Sequence, residues 1–137
     1  MTSTVRVVLD TNIVLDLFVF HDARAVSLRS ALHANQVQWI ATVPMREELQ
    51  LVLQYPHIAT RMQQQNGSAD QVLALFDALA EIQPVSAKAP VTCKDTDDQK
   101  FIDLAVAHQA DLWSKDHAIM CLHKRLLVLG VTFCVWP

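Results

Sequence analysis

Apolar and polar positions alternate in blocks whose period switches between strand and helix along the chain. Val5-Arg6-Val7-Val8-Leu9 is a short β-branched run, the best strand in the sequence, and it stops at the polar Asp10-Thr11-Asn12, which can also begin a helix. Ile13, Leu17 and Phe20 then repeat at helical spacing, and Ala25, Leu28 and Leu32 do so again beyond a polar break at His21-Asp22. Val37 to Ala41 predicts a second strand. Thr42 and Pro44 then supply a capping hydroxyl and an early-turn proline for a helix reaching about Tyr55, where Pro56 ends it.

A shorter helix is expected from about Ile58 to Gln65, closed by Asn66-Gly67-Ser68, and another from Ala69 to Ala80 on the spacing of Val72, Leu75, Phe76 and Leu79. Ile82 to Val85 reads as a third strand weakened by Pro84, and Ser86 to Cys93 as irregular chain. Thr96-Asp97-Asp98-Gln99 matches a capping box, predicting a helix from near Asp97 to about His108. Asp111 to Ser114 predicts a brief strand, His117 to Arg125 a helix, and Val131 to Val135 a last strand after Gly130.

Strands alternating with helices imply an α/β fold: an open parallel sheet of four to five strands with helices on both faces, in three α/β/α layers. Ligands in such sheets sit beyond the carboxyl ends of the strands, where the strand order reverses. Asp10 ends the first strand and Asp116 lies just past the strand at Asp111 to Ser114, so both are candidates for that place. Taken singly, each is also an ordinary turn residue or helix cap.

Helical phase selects two further acids. Glu48 shares a face with Met45, Leu51, Val52 and Tyr55, whereas Glu47 falls with Gln50 and Gln54; Glu47 replaces Glu48 if that helix is rotated. Asp98 aligns with Phe101, Ile102 and Ala105, whereas Asp103 aligns with Gln99 and Lys100. An unpaired carboxylate on an apolar stripe needs a cation, a donor or a proton. Four acids cannot satisfy one another, and hard oxygen ligands suit Mg²⁺ or Mn²⁺, so Asp10, Glu48, Asp98 and Asp116 are expected to form a divalent-metal site. The bland alternative has Asp98 stabilising its own helix start and Glu48 reaching to an edge. Asp16, Asp22, Asp70, Asp77 and Glu81 read as solvated, and Asp95 and Asp97 as exposed flanks of the cap.

Composition narrows the classes. The 137 residues fit one domain, residues 1–137, and 52% hydrophobic content with 2 glycines leaves no glycine-rich phosphate loop. A net charge of −3 gives no broad positive field for nucleic acid. Cys93, Cys121 and Cys134 form no metal-ligand spacing and read as reduced, mostly core thiols. The six histidines show no HExxH pattern, and Trp39, Trp113 and Trp136 lie in or beside strands as core or interface residues. No uncharged stretch approaches the ~18 residues of a bilayer span, so a cytoplasmic protein without a membrane segment is expected. This much apolar helix surface would also suit a homodimer.

Val7-Val8-Leu9-Asp10-Thr11-Asn12, Glu48 within Arg46-Glu47-Glu48-Leu49, Asp98 opening a helix, and Ser114-Lys115-Asp116 after a strand together resemble the PIN domain, a family of small metal-dependent nucleases. The order extends over nearly the whole chain. Asp95-Thr96-Asp97-Asp98-Gln99-Lys100-Phe101 looks like the bacterial branch that supplies toxin components of toxin–antitoxin pairs. The resemblance implies that Asp10, Glu48, Asp98 and Asp116 are catalytic metal ligands, with Asn12 and Ser114 orienting ligands or water. It implies cleavage of single-stranded RNA and an antitoxin partner.

Lys115 departs from the family, which more often has a small residue or arginine there, and with Arg46 and His117 it is a candidate contact for substrate phosphate. Arg24, Lys94 and Lys100 are further candidates around the mouth. Haloacid-dehalogenase-type phosphatases need an acid where Asn12 stands, and receiver domains need an acidic pair before the first helix, which disfavours both. The remaining alternative is a catalytically inactive PIN-like module that binds RNA or protein.

Overall fold

A computed structural model of the chain describes residues 4–136. Five strands form one sheet in the order β3-β2-β1-β4-β5, with every neighbouring pair parallel: β1 (Val5–Leu9), β2 (Val37–Ala41), β3 (Ala80–Ile82), β4 (Asp111–Trp113) and β5 (Phe133–Cys134). β1 is central because its β-branched run is apolar on both faces, with Val7, Val8 and Leu9 all buried. From β1 the chain builds outward through β2 to β3, then returns to β1's other side for β4 and β5. With right-handed crossovers, the helices before β3 cover one face and those after it cover the other.

The first layer holds α1 (Thr11–Phe18), α2 (Val26–His33), α3 (Val43–Val52), α4 (Pro56–Gln64) and α5 (Ala69–Leu79). Its core is built around Trp39 of β2, which stacks on Phe18 at 6.3 Å and takes the edge of Phe76 at 5.0 Å. The second layer holds α6 (Gln99–His108), α7 (His117–Met120) and α8 (His123–Val128), with Phe101, Ile102, Leu104 and Leu126 buried. Gly130 turns the chain into β5 at φ +85°, a left-handed conformation that strains any residue with a Cβ and so favours glycine.

Several element ends differ from the sequence reading, for local reasons. Thr42 sits at the start of α3 but its hydroxyl caps nothing and is buried without a partner. Pro44 has no N–H to offer, and the N–H of Met45 goes instead to the Thr42 carbonyl. Pro56 begins α4 as its first residue, the position where its missing N–H costs nothing. β3 pairs at Ala80–Ile82, ahead of Pro84.

The capping box at Thr96 does not form. A single 3₁₀ turn, Thr96–Asp98, precedes α6, and Asp95 caps it by accepting from the Asp97 N–H at 3.0 Å. Gln99 instead binds the irregular chain before it, accepting from the Cys93 N–H at 2.7 Å and donating to the Val91 carbonyl at 2.9 Å. The helix expected at His117–Arg125 is two helices broken at Cys121-Leu122, with the His123 ring on the Met120 carbonyl at 2.9 Å. Cys93 is buried, but Cys121 is exposed.

Candidate metal centre at the carboxyl edge of the sheet

β1 and β4 are neighbours, and chain order reverses between them, so the residues just beyond their carboxyl ends meet. Asp10 leaves β1 with its N–H on the Trp113 carbonyl at 3.0 Å, and it is only 3% exposed. Ser114 leaves β4 fully buried, donates to Asp10 Oδ2 at 2.7 Å and accepts from the Asp116 N–H at 2.9 Å. One hydroxyl thereby fixes the relative positions of two acids. Asp116 also caps α7, its Oδ1 accepting from the Ala118 N–H at 2.8 Å. Asp98, at the end of the 3₁₀ turn, arrives from the opposite element and is 7% exposed.

One oxygen each of Asp10, Asp98 and Asp116 lies within 4.8 Å of the others. Burial pushes the Asp10 carboxyl above its ordinary range; the Ser114 hydrogen bond opposes this, and the charges of Asp116 and Glu48 add to it. Asp98 is pushed up to about 8, first by burial, then by its hydrogen bond with Asp116 and the charge of Asp10. Among the described residues its buried Oδ2 has no hydrogen-bond partner. A buried carboxylate oxygen facing two other acids, with no donor, is the environment that a hard divalent cation satisfies. The residues present therefore fit such an ion.

The three aspartates help line a cleft of about 370 Å³, with Thr11, Asn12 and Glu48 among its polar residues and Phe20, Val52 and Ile58 among its apolar ones. Glu48 points into the cleft while Glu47 is exposed, as helical phase requires. The face was drawn too wide, however: Leu51 and Tyr55 are exposed at 62% and 51%, and the buried stripe of α3 is Met45, Leu49 and the following Leu53. Glu48 stands outside the close group of three. One of its oxygens accepts from the Thr11 hydroxyl and the other from Lys100 Nζ at 2.8 Å.

The remaining sequence candidates are placed as follows. Asn12 is exposed at the start of α1 and lines the cleft. Arg46 points away, forking onto Asp77 at 2.8 and 2.9 Å. Lys115 turns from the cleft to pair with Asp16 Oδ2 at 2.6 Å. His117 is exposed, its ring 3.4 Å from the Cys121 sulfur.

Asp16, read as solvated from sequence, is 3% exposed and also accepts from the Trp136 indole at 2.8 Å. Phase alone could not have found it, since Asp16 falls four residues after the exposed Asn12; the signal is that its neighbours Ile13 to Phe18 leave almost no polar face on α1. Thr11 and Lys100 were missed as partners of Glu48, because those contacts join elements far apart in sequence. Asp95 and Asp97 are exposed as expected, and both reach the rim of the cleft.

No curated protein matches the sequence. The fold matches a chain in the crystal structure of VapBC2 from Rickettsia felis bound to a DNA fragment from their promoter. That match has a TM-score of 0.65 and 17% identity, and covers 96% of this chain and 99% of that one. The PIN domain family description matches residues 6–112, a span holding Asp10, Glu48 and Asp98 and ending just before Asp116. On that match, and with the sheet order and acid placement described above, the chain belongs to the PIN domain family.

Proposed function

We propose that this protein is a Mg²⁺- or Mn²⁺-dependent endoribonuclease that hydrolyses phosphodiester bonds of single-stranded RNA, and that it acts as the toxin of a toxin–antitoxin pair. The observation that carries the reading is the convergence of Asp10, Asp98 and Asp116 with a buried Asp98 oxygen left without a donor. Asp10, Asp98 and Asp116 would hold the ion, and Glu48 stands beside them in the same cleft. When bound, a divalent ion lowers the pKa of its water and stabilises charge on the phosphoryl group in the transition state.

The chain's own groups prepare that place. Ser114 donates to one Asp10 oxygen and the Ala118 N–H to one Asp116 oxygen, bonds that favour the orientations in which these carboxylates would meet an ion. Burial and the neighbouring acids disfavour the ionised form of Asp98, a cost that a bound divalent ion would offset. A cleft lined by both acids and apolar side chains suits a splayed single strand whose bases need an apolar surface. The antitoxin partner is supported by the fold match to a VapBC2 chain.

Purified protein is expected to cut single-stranded RNA with Mn²⁺ or Mg²⁺ and to lose cleavage with EDTA and in Asp10→Asn and Asp98→Asn. Equal cleavage by those variants, folded, rejects the reading. RNA binding without cleavage at any divalent ion would make the protein a binding module instead. For the toxin role, induced expression is expected to arrest growth with the native sequence and not with Asp98→Asn.

A further inference from the structure

Lys100 is the group that the acid cluster leaves to be explained. It lies two residues beyond Asp98 on α6, and its ammonium is engaged by the protein: the side chain is 22% exposed, binds Glu48 Oε1 at 2.8 Å and also donates to the Asp97 carbonyl. α6 and α3 belong to opposite helical layers, so this pair joins the two layers, with its Glu48 end in the same cleft as the three aspartates and its charge acting on Asp10. The other Glu48 oxygen is taken by Thr11, so both oxygens of the fourth acid are engaged.

We infer that Lys100 stands in for a second cation, so that the cluster holds one divalent ion, at Asp10, Asp98 and Asp116. This rests on the metal-site reading above and goes beyond it by fixing the number of ions and giving Glu48 a separate role. The charge balance carries it. Three ionised aspartates with one divalent ion leave a single negative charge, and the Lys100–Glu48 pair adds none. A second divalent ion on Glu48 would have to displace an ammonium already in hydrogen-bond contact, against like-charge repulsion at close range. The deficit of donors also lies where one ion would cure it, at Asp98, while Glu48 shows none. Lys100 is thus a positioning residue that acts through Glu48.

Metal stoichiometry, read by calorimetry and Mn²⁺ paramagnetic resonance on the full chain without RNA, tests this. The native protein and Lys100→Arg are expected to bind one Mn²⁺. Lys100→Met is expected to bind two, the second at least ~10-fold more weakly, and the double variant Lys100→Met with Glu48→Gln to return to one. Two ions in the native protein, or one in folded Lys100→Met, overturns the inference while leaving the metal site standing. Absence of Mn²⁺ binding in the native protein overturns the metal site and the inference with it.

Discussion

Asp16 and Asp98 are both aspartates buried against apolar packing, 3% and 7% exposed, one in α1 and the other at the turn that opens α6. Asp16 receives a lysine at 2.6 Å and an indole N–H at 2.8 Å, contributed by Lys115 just past β4 and Trp136 just past β5. Asp98 receives no donor at its buried Oδ2 and faces two more acids. The fold can plainly supply a counter-ion and a donor to a buried carboxylate, so a carboxylate left without them marks a place where something else is to bind. Lys115 illustrates the distinction: it is adjacent to Asp116 in sequence, but its charge serves the structural acid.

If that contrast is right, neutralising the two acids should damage different properties. The largest effect is expected from Asp98→Asn, with RNA cleavage falling by ~10²–10³-fold or more while the far-ultraviolet dichroism of the native fold is kept. Asp16→Ala should do the reverse. It leaves the Trp136 indole and Lys115 without their partner and is expected to destabilise the fold by about 2–4 kcal/mol in denaturant melts, with Mn²⁺ affinity of the folded protein unchanged within a few-fold.

Ser114→Ala is expected to weaken Mn²⁺ binding by ~10–100-fold in titration calorimetry, because Asp10 and Asp116 lose the hydroxyl that joins them.

Protonation sharpens the comparison further. In metal-free protein the Asp98 carboxyl titrates at about 8 instead of 3.8. Between those two values the folded chain keeps a proton that the unfolded chain has lost, so stability falls as pH rises through the window. EDTA-treated protein is therefore expected to melt at lower temperature at pH 8 than at pH 5, and Asp98→Asn to recover about 1–3 kcal/mol at pH 8. Mn²⁺ must displace that proton, so its affinity is expected to rise with pH up to about 8. The smallest effect belongs to Arg46→Ala. The exposed Arg46–Asp77 pair contributes ~0–1 kcal/mol, and cleavage should not change.

What the sequence made legible was what depends on period and strand ends. Alternation of strands and helices gave the parallel sheet, and phase chose Glu48 over Glu47 and put Asp98 inside. The rest depended on contacts that no local pattern encodes. Thr42 looked like a cap until Pro44 removed the N–H it would need, and Gln99 looked like half of a capping box while its amide was needed by Cys93 and Val91. Asp16, Lys115 and Trp136 meet because β4 and β5 each deliver a residue just beyond their carboxyl ends to α1. Pairings of that range follow from the assembled sheet, and so does the separation of Glu48 from the three aspartates.

The central claim is that Asp10, Asp98 and Asp116 hold a divalent ion, and the most direct test is an anomalous difference map from crystals soaked in Mn²⁺ near pH 8. A peak bounded by those three carboxylates is expected, with the Asp98 Oδ2 among its nearest oxygens. A well-ordered cluster with no peak at saturating Mn²⁺, or a peak that persists in Asp98→Asn with unchanged height, would contradict it.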